Sequence, residues 1–225
     1  GHLVPLQDID GVQRRVPMLI KLEGGYYEAM SLAVSRLALG NVPVVMVPSD
    51  FRAEDNQLTL SRIEIGGQKI PLDVYASALI PYRGASKVFR YVSMTDVIRG
   101  TLSPDELRDK IVIVGTSAQG LRDLRNTPVE EDFSGVEIHA NAVDTILRGE
   151  YLREVPFWLT TALIFSFALV AGATLMTLPM LVAALFSILV LTGYLFAASY
   201  YFDQGIVLNL VYPPLSLFLT YGSVV

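Results

Sequence analysis

Five polar side chains carry the chemistry this sequence could perform: Arg83, Ser117, Asp123, Thr127 and His139. Arg83 closes the stretch Ile80-Pro81-Tyr82-Arg83, and its planar guanidinium can hold a carboxylate or phosphate with two parallel bonds. An internal salt bridge, to Asp73 or Asp123 for example, suits that position equally well. Ser117 belongs to Gly115-Thr116-Ser117-Ala118-Gln119-Gly120, where backbone amides following a strand could cradle an anion. The stretch has neither the Gly-Lys-Ser/Thr of a P-loop nor Gly-x-Gly-x-x-Gly, so a tight turn is the better-supported reading. Asp123 and Thr127 lie in the charged, hydroxyl-bearing run from Arg122 to Pro128. His139 falls on the next helix, about 60° from the centre of its apolar stripe at about 100° per residue, which predicts half burial. With Asp123 it could bind a metal or act as a base; a buried, hydrogen-bonded histidine is the commoner arrangement. Together the five make a candidate ligand-binding cluster at the end of a buried strand.

Other chemistry finds little support. There is no Gly-x-Ser-x-Gly elbow, no His-Glu-x-x-His and no self-evident acidic pair, so no residue is assigned a catalytic role. Cysteine is absent, which removes disulfides, thiolate nucleophiles and zinc–thiolate sites together. His2 and His139 are the only histidines, too few for a His-rich metal centre, and no cofactor is expected. The charged part has interspersed signs and no basic run, so nucleic acid is not expected as a partner.

The elements that must position these residues alternate. Val16–Glu23 reads as a strand closed by Gly24-Gly25, and Tyr27–Leu39 as a helix with apolar positions Met30, Val34, Leu37 and Ala38. Leu58–Ile65 and Gln68–Leu72 flank Gly66-Gly67, a hairpin pattern. Ala78–Tyr82 and Val88–Val92 read as short strands. Ser93 starts a short helix stopped by Gly100, and Ser103-Pro104-Asp105-Glu106 is a second helix start. Lys110–Gly115 contains Ile111-Val112-Ile113-Val114, the pattern of a strand buried on both faces. A helix follows from Val136 to Arg148, with Val136, Ala140, Val143 and Leu147 as its core stripe. The expectation is an α/β domain over residues 1–148.

Charge then stops abruptly. Of the 17 Lys and Arg and 22 Asp and Glu, only Asp203 lies beyond residue 155. After a linker over 149–156, three apolar runs of about 20 residues are expected to form an all-α transmembrane segment: 157–176, 180–201 and 206–225. At about 1.5 Å per residue each could cross a hydrocarbon core of about 30 Å. Pro213-Pro214 should kink or interrupt the third. No ionisable residue sits in mid-span, so an anchor and connector fits better than an ion or proton pathway. The Ala168/Gly172 and Gly193/Ala197 pairs would let helices approach closely, within one chain before between chains. The lipid bilayer is the expected partner. Arg148 and Arg153 weakly favour a cytoplasmic domain, and the short links add no further basic residue. The Gly-His start and uncharged end lead us to expect a piece of a longer protein.

An ordered set of motifs then resembles a known family. It comprises Asp8-x-Asp10-Gly11-Val12-x-Arg14-Arg15, Ile70-Pro71-Leu72-Asp73, Ile80-Pro81-Tyr82-Arg83-Gly84 and Asp96-Val97-Ile98-x-Gly100. Lys110–Ala118, Asp123-x-x-x-Thr127-Pro128 and Gly135–Asn141 follow. This resembles the type-2 CHASE domain, a sensor module of bacterial membrane receptors. The resemblance implies an extracytoplasmic sensor domain, N-terminally incomplete here, with a preceding span and three spans after it. It also implies a cytoplasmic effector beyond Val225, such as a nucleotide cyclase, a histidine kinase or a Ser/Thr kinase. Residues 1–156 would then lie outside the cell membrane. The expected partners are a second copy, as a homodimer, and a small extracytoplasmic ligand. A purely structural dimerisation module is the alternative, and a membrane-anchored hydrolase using Asp123 and His139 the least supported reading.

Overall fold

The computed structural model describes residues 1–3, 7–52, 58–116 and 123–224, and the chain divides into two compact units, Gly1–Tyr151 and Leu152–Val225. The division falls inside the segment expected as linker.

In the first unit the described elements run β1 (Arg15–Pro17), β2 (Leu19–Leu22), β3 (Gly25–Glu28), α1 (Met30–Ala38), β4 (Val45–Arg52), β5 (Leu58–Ile65), β6 (Gln68–Pro71), β7 (Ser77–Leu79), α2 (Met94–Arg99), β8 (Leu124–Arg125), β9 (Phe133–Ser134) and α3 (Gly135–Arg148). The second unit contains β10 (Arg153–Glu154), α4 (Phe157–Thr177), α5 (Met180–Asp203), β11 (Ile206–Val207) and α6 (Tyr212–Val224).

All ladders named in the first unit are antiparallel: β1 with β7, β2 with β3, β4 with β5 with β6, and β8 with β9. The expected hairpin is β5–β6. Gly66 and Gly67 have φ of 52° and 86°, the left-handed pair that a twist-matched two-residue turn requires. The alternation in β5 buries Ile63 and Ile65 and leaves Arg62 and Glu64 toward solvent, where they pair at 2.7 Å. The core joins this sheet to the two longer helices. Ile63, Ile65 and Ile70 meet Leu32 of α1 and Ile138, Ala142 and Ile146 of α3, with Val16, Met18, Ala78 and Phe133 filling in. Tyr82 stands edge-on to Phe133, ring centroids 5.4 Å apart.

Several expectations are corrected here. Lys110–Gly115 is not a strand: it has no ladder partner among the described residues, and Ile111, Val112 and Val114 are 45%, 55% and 70% exposed. A β-branched run reads as buried from composition alone, but burial needs a sheet on both sides. Val88–Val92 is not a strand either. Tyr27 belongs to β3, so α1 starts at Met30 and buries Ser31, Leu32 and Ser35, while Leu37 is exposed. The Ser35 hydroxyl donates to the Ser31 carbonyl at 2.8 Å, which satisfies Ser35 in the interface, whereas the buried Ser31 hydroxyl has no partner among the described residues. The buried stripe of α3 is rotated from the expected one: Ile138, Ala142, Val143 and Ile146 are buried, whereas Val136, Ala140 and Leu147 are only half-buried.

In the second unit, α4 and α5 are long and apolar enough to span a membrane, at 21 and 24 residues. The third expected span is not one apolar helix. Ile206-Val207 forms β11, and helix resumes only at Tyr212, giving 13 residues in α6, about 20 Å at 1.5 Å per residue. Pro213 and Pro214 fall in its first turn, where a missing N–H costs nothing. Asn209 caps it, its Oδ1 accepting from the Val211 and Tyr212 amides at 3.0 Å each. α4 packs along α6, and the Ser216 hydroxyl donates across to the Ile164 carbonyl at 3.0 Å. Phe167 and Tyr194 meet edge-on at 5.1 Å. Gly172 and Gly193 face open space; the small residues buried in the packing are Ala171, Ala183, Ser187 and Ala198.

β10 and β11 pair in parallel, Arg153 opposite Ile206 and Glu154 opposite Val207. The Arg153 amide donates to Gly205 at 2.7 Å and the Val155 amide to Val207 at 3.2 Å. The chain entering α4 is thereby tied to the chain leaving α5.

Candidate functional site

The site forms at the N-terminal end of α3. β8 and β9 pair as Leu124–Ser134 and Arg125–Phe133, and Phe133, fully buried, anchors that ribbon in the core. Ser134 stands at the helix start, and its hydroxyl donates to the Thr116 carbonyl at 3.1 Å. The Gly135 amide donates to the Asp123 carbonyl at 2.8 Å. Two stretches distant in sequence are thus drawn to the first turn of α3. Gly135 has to be glycine there, because a Cβ would lie 2.5 Å from Asp123 Oδ1. A carboxylate over a helix N-terminus is also electrostatically favoured.

A cavity of about 290 Å³ lies at this junction. Gln13, Thr116, Asp123, Arg125 and His139 supply its polar side chains, and Met30, Val136 and Ile138 are among its apolar ones. Gln13 is 4% exposed and its Oε1 has no hydrogen-bond partner; His139 Nδ1 is likewise buried and unpartnered. Burial lowers the His139 pKa below its ordinary value, and the nearby Asp123 carboxylate opposes that shift only in part. The imidazole is therefore neutral at pH 7. Arg125 Nη2 and Asp123 Oδ1 are 3.9 Å apart, with side chains 32% and 40% exposed. That is within electrostatic reach but beyond a hydrogen bond.

The structure thus brings Asp123 and His139 of the five expected residues together. Ser117 lies outside the described residues. Thr127 is elsewhere and locally satisfied: its hydroxyl donates to the Glu130 carbonyl at 2.8 Å and accepts from the Glu130 amide at 3.2 Å. Arg83 is held by the far half of α3. Its Nε donates to Asp144 at 2.5 Å, its Nη2 to Glu150 at 2.7 Å, and its amide to the Asn141 side chain at 3.0 Å. Asp144 follows Gly135 by nine residues, about 13 Å along the helix. The salt-bridge reading of Arg83 therefore holds, with other partners than Asp73 or Asp123; Asp73 pairs with Arg15 at 3.0 Å.

Gln13 and Arg125 escaped the sequence reading, since a lone Gln before a strand and an Arg in a loop carry no pattern. Glu137, which the sequence places with Asn141 and Asp144 on the polar face of the helix, was not among the candidates. It is 2% exposed, and its carboxylate accepts from the Lys87 amide at 3.0 Å, the Val88 amide at 3.1 Å and the Tyr91 hydroxyl at 2.7 Å. With Asn141 and Asp144 it makes one face of α3 a clamp for residues 83–91. The Glu-x-x-x-Asn-x-x-Asp spacing was the available signal.

No group of three or more His, Asp or Glu side chains suited to a metal occurs among the described residues. The Asp10 carboxylate, bonded by Arg14 and by the Val12 amide, is held at a pKa of about 2. It and Asp8 tie the Asp8–Arg15 turn together through Arg14.

A mixed α/β domain followed by two helices fit to cross a bilayer defines a class: a membrane-linked domain with a small cavity. The family model of the CHASE2 domain matches residues 1–174, and the chain belongs to that family, whose members are extracytoplasmic sensor domains of signalling receptors. Nothing matches the chain among curated proteins or among solved structures.

Proposed function

We propose that the chain is the sensory input and membrane-connecting region of a bacterial transmembrane receptor that regulates a cytoplasmic effector, a nucleotide cyclase first and a kinase second. The observation that carries this reading is the family match. It runs through the first unit and on into α4, so the domain and its first apolar helix form one family module. Residues 1–156 would lie outside the cell membrane, α4 and α5 would cross it, and the stretch from Ile206 through α6 would make a third crossing to a cytoplasmic Val225. The β10–β11 ladder supports this course, because it returns the chain after α5 to the side from which α4 began. The small-molecule stimulus would act at the cavity at the start of α3. A ligand shifts a receptor only through different affinities for its two states, and the segment ending in β10 would carry that difference to α4 and, through the ladder, to α6.

Two experiments test the reading. Alkaline phosphatase fused in the Asp203-Gln204-Gly205 link should be active, and fused at Leu178 or Val225 inactive; the reverse pattern overturns the orientation. In a receptor made by joining Val225 to a cyclase catalytic domain, output that never depends on residues 1–155 would sink the sensor role.

A second reading, an assembly module that fixes a homodimer and takes no small molecule, has one observation in its favour: the exposed apolar side chains of Ile98, Ile111, Val112 and Val114. Cross-linking that captures dimers through these residues, with receptor output indifferent to every cavity substitution, would favour it.

A further inference from the structure

Several charged groups in the first unit are used within the fold. Arg14 bonds Asp8 and Asp10, Arg36 bonds Glu28, and Arg83 bonds Asp144 and Glu150. Glu137 and Glu130 accept backbone amides. The cavity at the start of α3 departs from this economy. The Gln13 amide, the Asp123 carboxylate, the Arg125 guanidinium and the His139 imidazole converge there. Among the described residues none of these four side chains makes a hydrogen bond, and two of their atoms, Gln13 Oε1 and His139 Nδ1, are fully buried as well. Buried polar groups are ordinarily paired, so two buried atoms without partners beside a part-exposed ion pair call for an occupant.

The charges narrow what that occupant is. A carboxylate and a guanidinium stand side by side, 3.9 Å apart and not bonded to each other. An anion alone would meet Asp123, and a cation alone would meet Arg125. A molecule carrying an ammonium and a carboxylate on one carbon presents both charges at a similar spacing and satisfies both side chains at once. Gln13 and His139 then have a donor and an acceptor within the same headgroup to bond. The remaining wall, with Met30, Val136 and Ile138, is apolar. At about 290 Å³ the cavity is at the small end of ligand pockets, which start near 300 Å³, so it suits one small molecule and no nucleotide.

We propose that this cavity binds a small zwitterion of the α-amino-acid class with an apolar side chain, its ammonium group on Asp123, its carboxylate on Arg125 and its side chain against Met30, Val136 and Ile138. The proposal rests on the sensor reading above and gives it a ligand chemistry.

The test is equilibrium dialysis on the 225-residue chain in lipid nanodiscs. The probes are L-leucine, L-valine and L-methionine, with 3-methylbutylamine and 4-methylpentanoate as analogues each lacking one charge. At least one amino acid should bind, and each one-charge analogue should bind about tenfold or more weakly, the effect of losing one charge-assisted hydrogen bond. Asp123→Asn and Arg125→Gln should each weaken the amino acid by a similar factor while thermal melts stay near that of the parent. Should Asp123→Asn fail to fold, Arg125→Gln and the analogue series decide. Absence of binding by all three amino acids, equal binding of amine and amino acid, or affinity unchanged in Arg125→Gln would overturn the proposal. Gln13→Leu in the receptor joined to a cyclase separates the two failures. If it shifts output while no amino acid binds, the ligand class falls and the sensor site stands; if output is indifferent and nothing binds, both fall.

Discussion

Glu137→Ala should release residues 86–91 from α3 without unfolding the domain. The carboxylate is 2% exposed and accepts three hydrogen bonds, from the Lys87 and Val88 amides and the Tyr91 hydroxyl. Bonds to a charged acceptor contribute about 1.5–3 kcal/mol each, and a donor left buried and unpaired costs about 1–3 kcal/mol. Here the three donors lie on an exposed segment, with Val88 52% and Tyr91 41% accessible, so once freed they can turn to water. Each then counts for about 1 kcal/mol, the net contribution of a typical solvent-accessible hydrogen bond, and their sum is about 3 kcal/mol. Most of it should appear as local opening, because the core residues of α3, Ile138, Ala142 and Ile146, point elsewhere and keep their contacts. Amide hydrogen exchange measures this directly. A loss of about 3 kcal/mol accelerates exchange at Lys87 and Val88 on the order of 100-fold, while amides of α3 beyond its first turn change little. Glu137→Gln, which keeps one carbonyl oxygen, should give an intermediate effect. Unchanged protection at Lys87 and Val88 in Glu137→Ala would show that the clamp does not hold this segment, and an equal loss throughout α3 would show that Glu137 serves the core and not the segment.

Three further outcomes are expected. Phe133→Ala empties a fully buried site against Tyr82 and should cost about 3–5 kcal/mol of stability in urea unfolding; a loss under about 1 kcal/mol would mean the β8–β9 ribbon is not anchored by this ring. His139 has its pKa lowered, chiefly by burial. The unfolded chain therefore binds the proton more readily below about pH 6.5, so the stability present above that pH should decline as pH falls through it. His2 shifts in the same direction, so thermal melts of His139→Gln between pH 5 and 7 should show a shallower slope, not a flat one. In the membrane unit, Arg153→Cys with Ile206→Cys should form a disulfide on mild oxidation, clean to read in a chain without native cysteine. Adding Val155→Pro, which deletes the amide bonded to Val207, should lower the yield severalfold, and a pair that never cross-links would refute the ladder.

The features legible in the sequence are those decided locally. Gly66-Gly67 required its hairpin because two successive left-handed residues leave few alternatives, and Ser93 with Gly100 bounded α2 as expected, the serine hydroxyl accepting from the Thr95 amide. Lys110–Gly115 failed for the opposite reason. Its apolar run states a demand for neighbours, and neighbours are a property of the rest of the fold. The stripe of α3 went astray because Val136, Ala140 and Leu147 fit a helical period as well as Ile138, Ala142 and Ile146 do. What separates the two sets is Glu137 and Asn141: two polar side chains that bury themselves by capturing the 83–91 segment, and so turn the helix on its axis. Of the candidate site, Asp123 and His139 could be nominated because both are chemically able. Gln13 could not, since what marks it is a buried oxygen without a partner.

The membrane unit shows the same division. Composition alone marks α4 and α5, whose apolar character is continuous. It misjudges residues 206–211, equally apolar, because hydropathy does not distinguish a helix from an extended strand that finds a partner. That partner is Arg153-Glu154, the last residues of the connection before α4, and the pairing follows from topology: two antiparallel helices of similar length must bring their outer ends to one side. With β11 bound there, the helix cannot begin until Asn209 supplies a cap and Pro213-Pro214 occupy the first turn. The short α6 and the parallel ladder are thus one feature. Any displacement of the connection at β10 reaches α6 through hydrogen-bonded backbone as well as through the side-chain packing of α4.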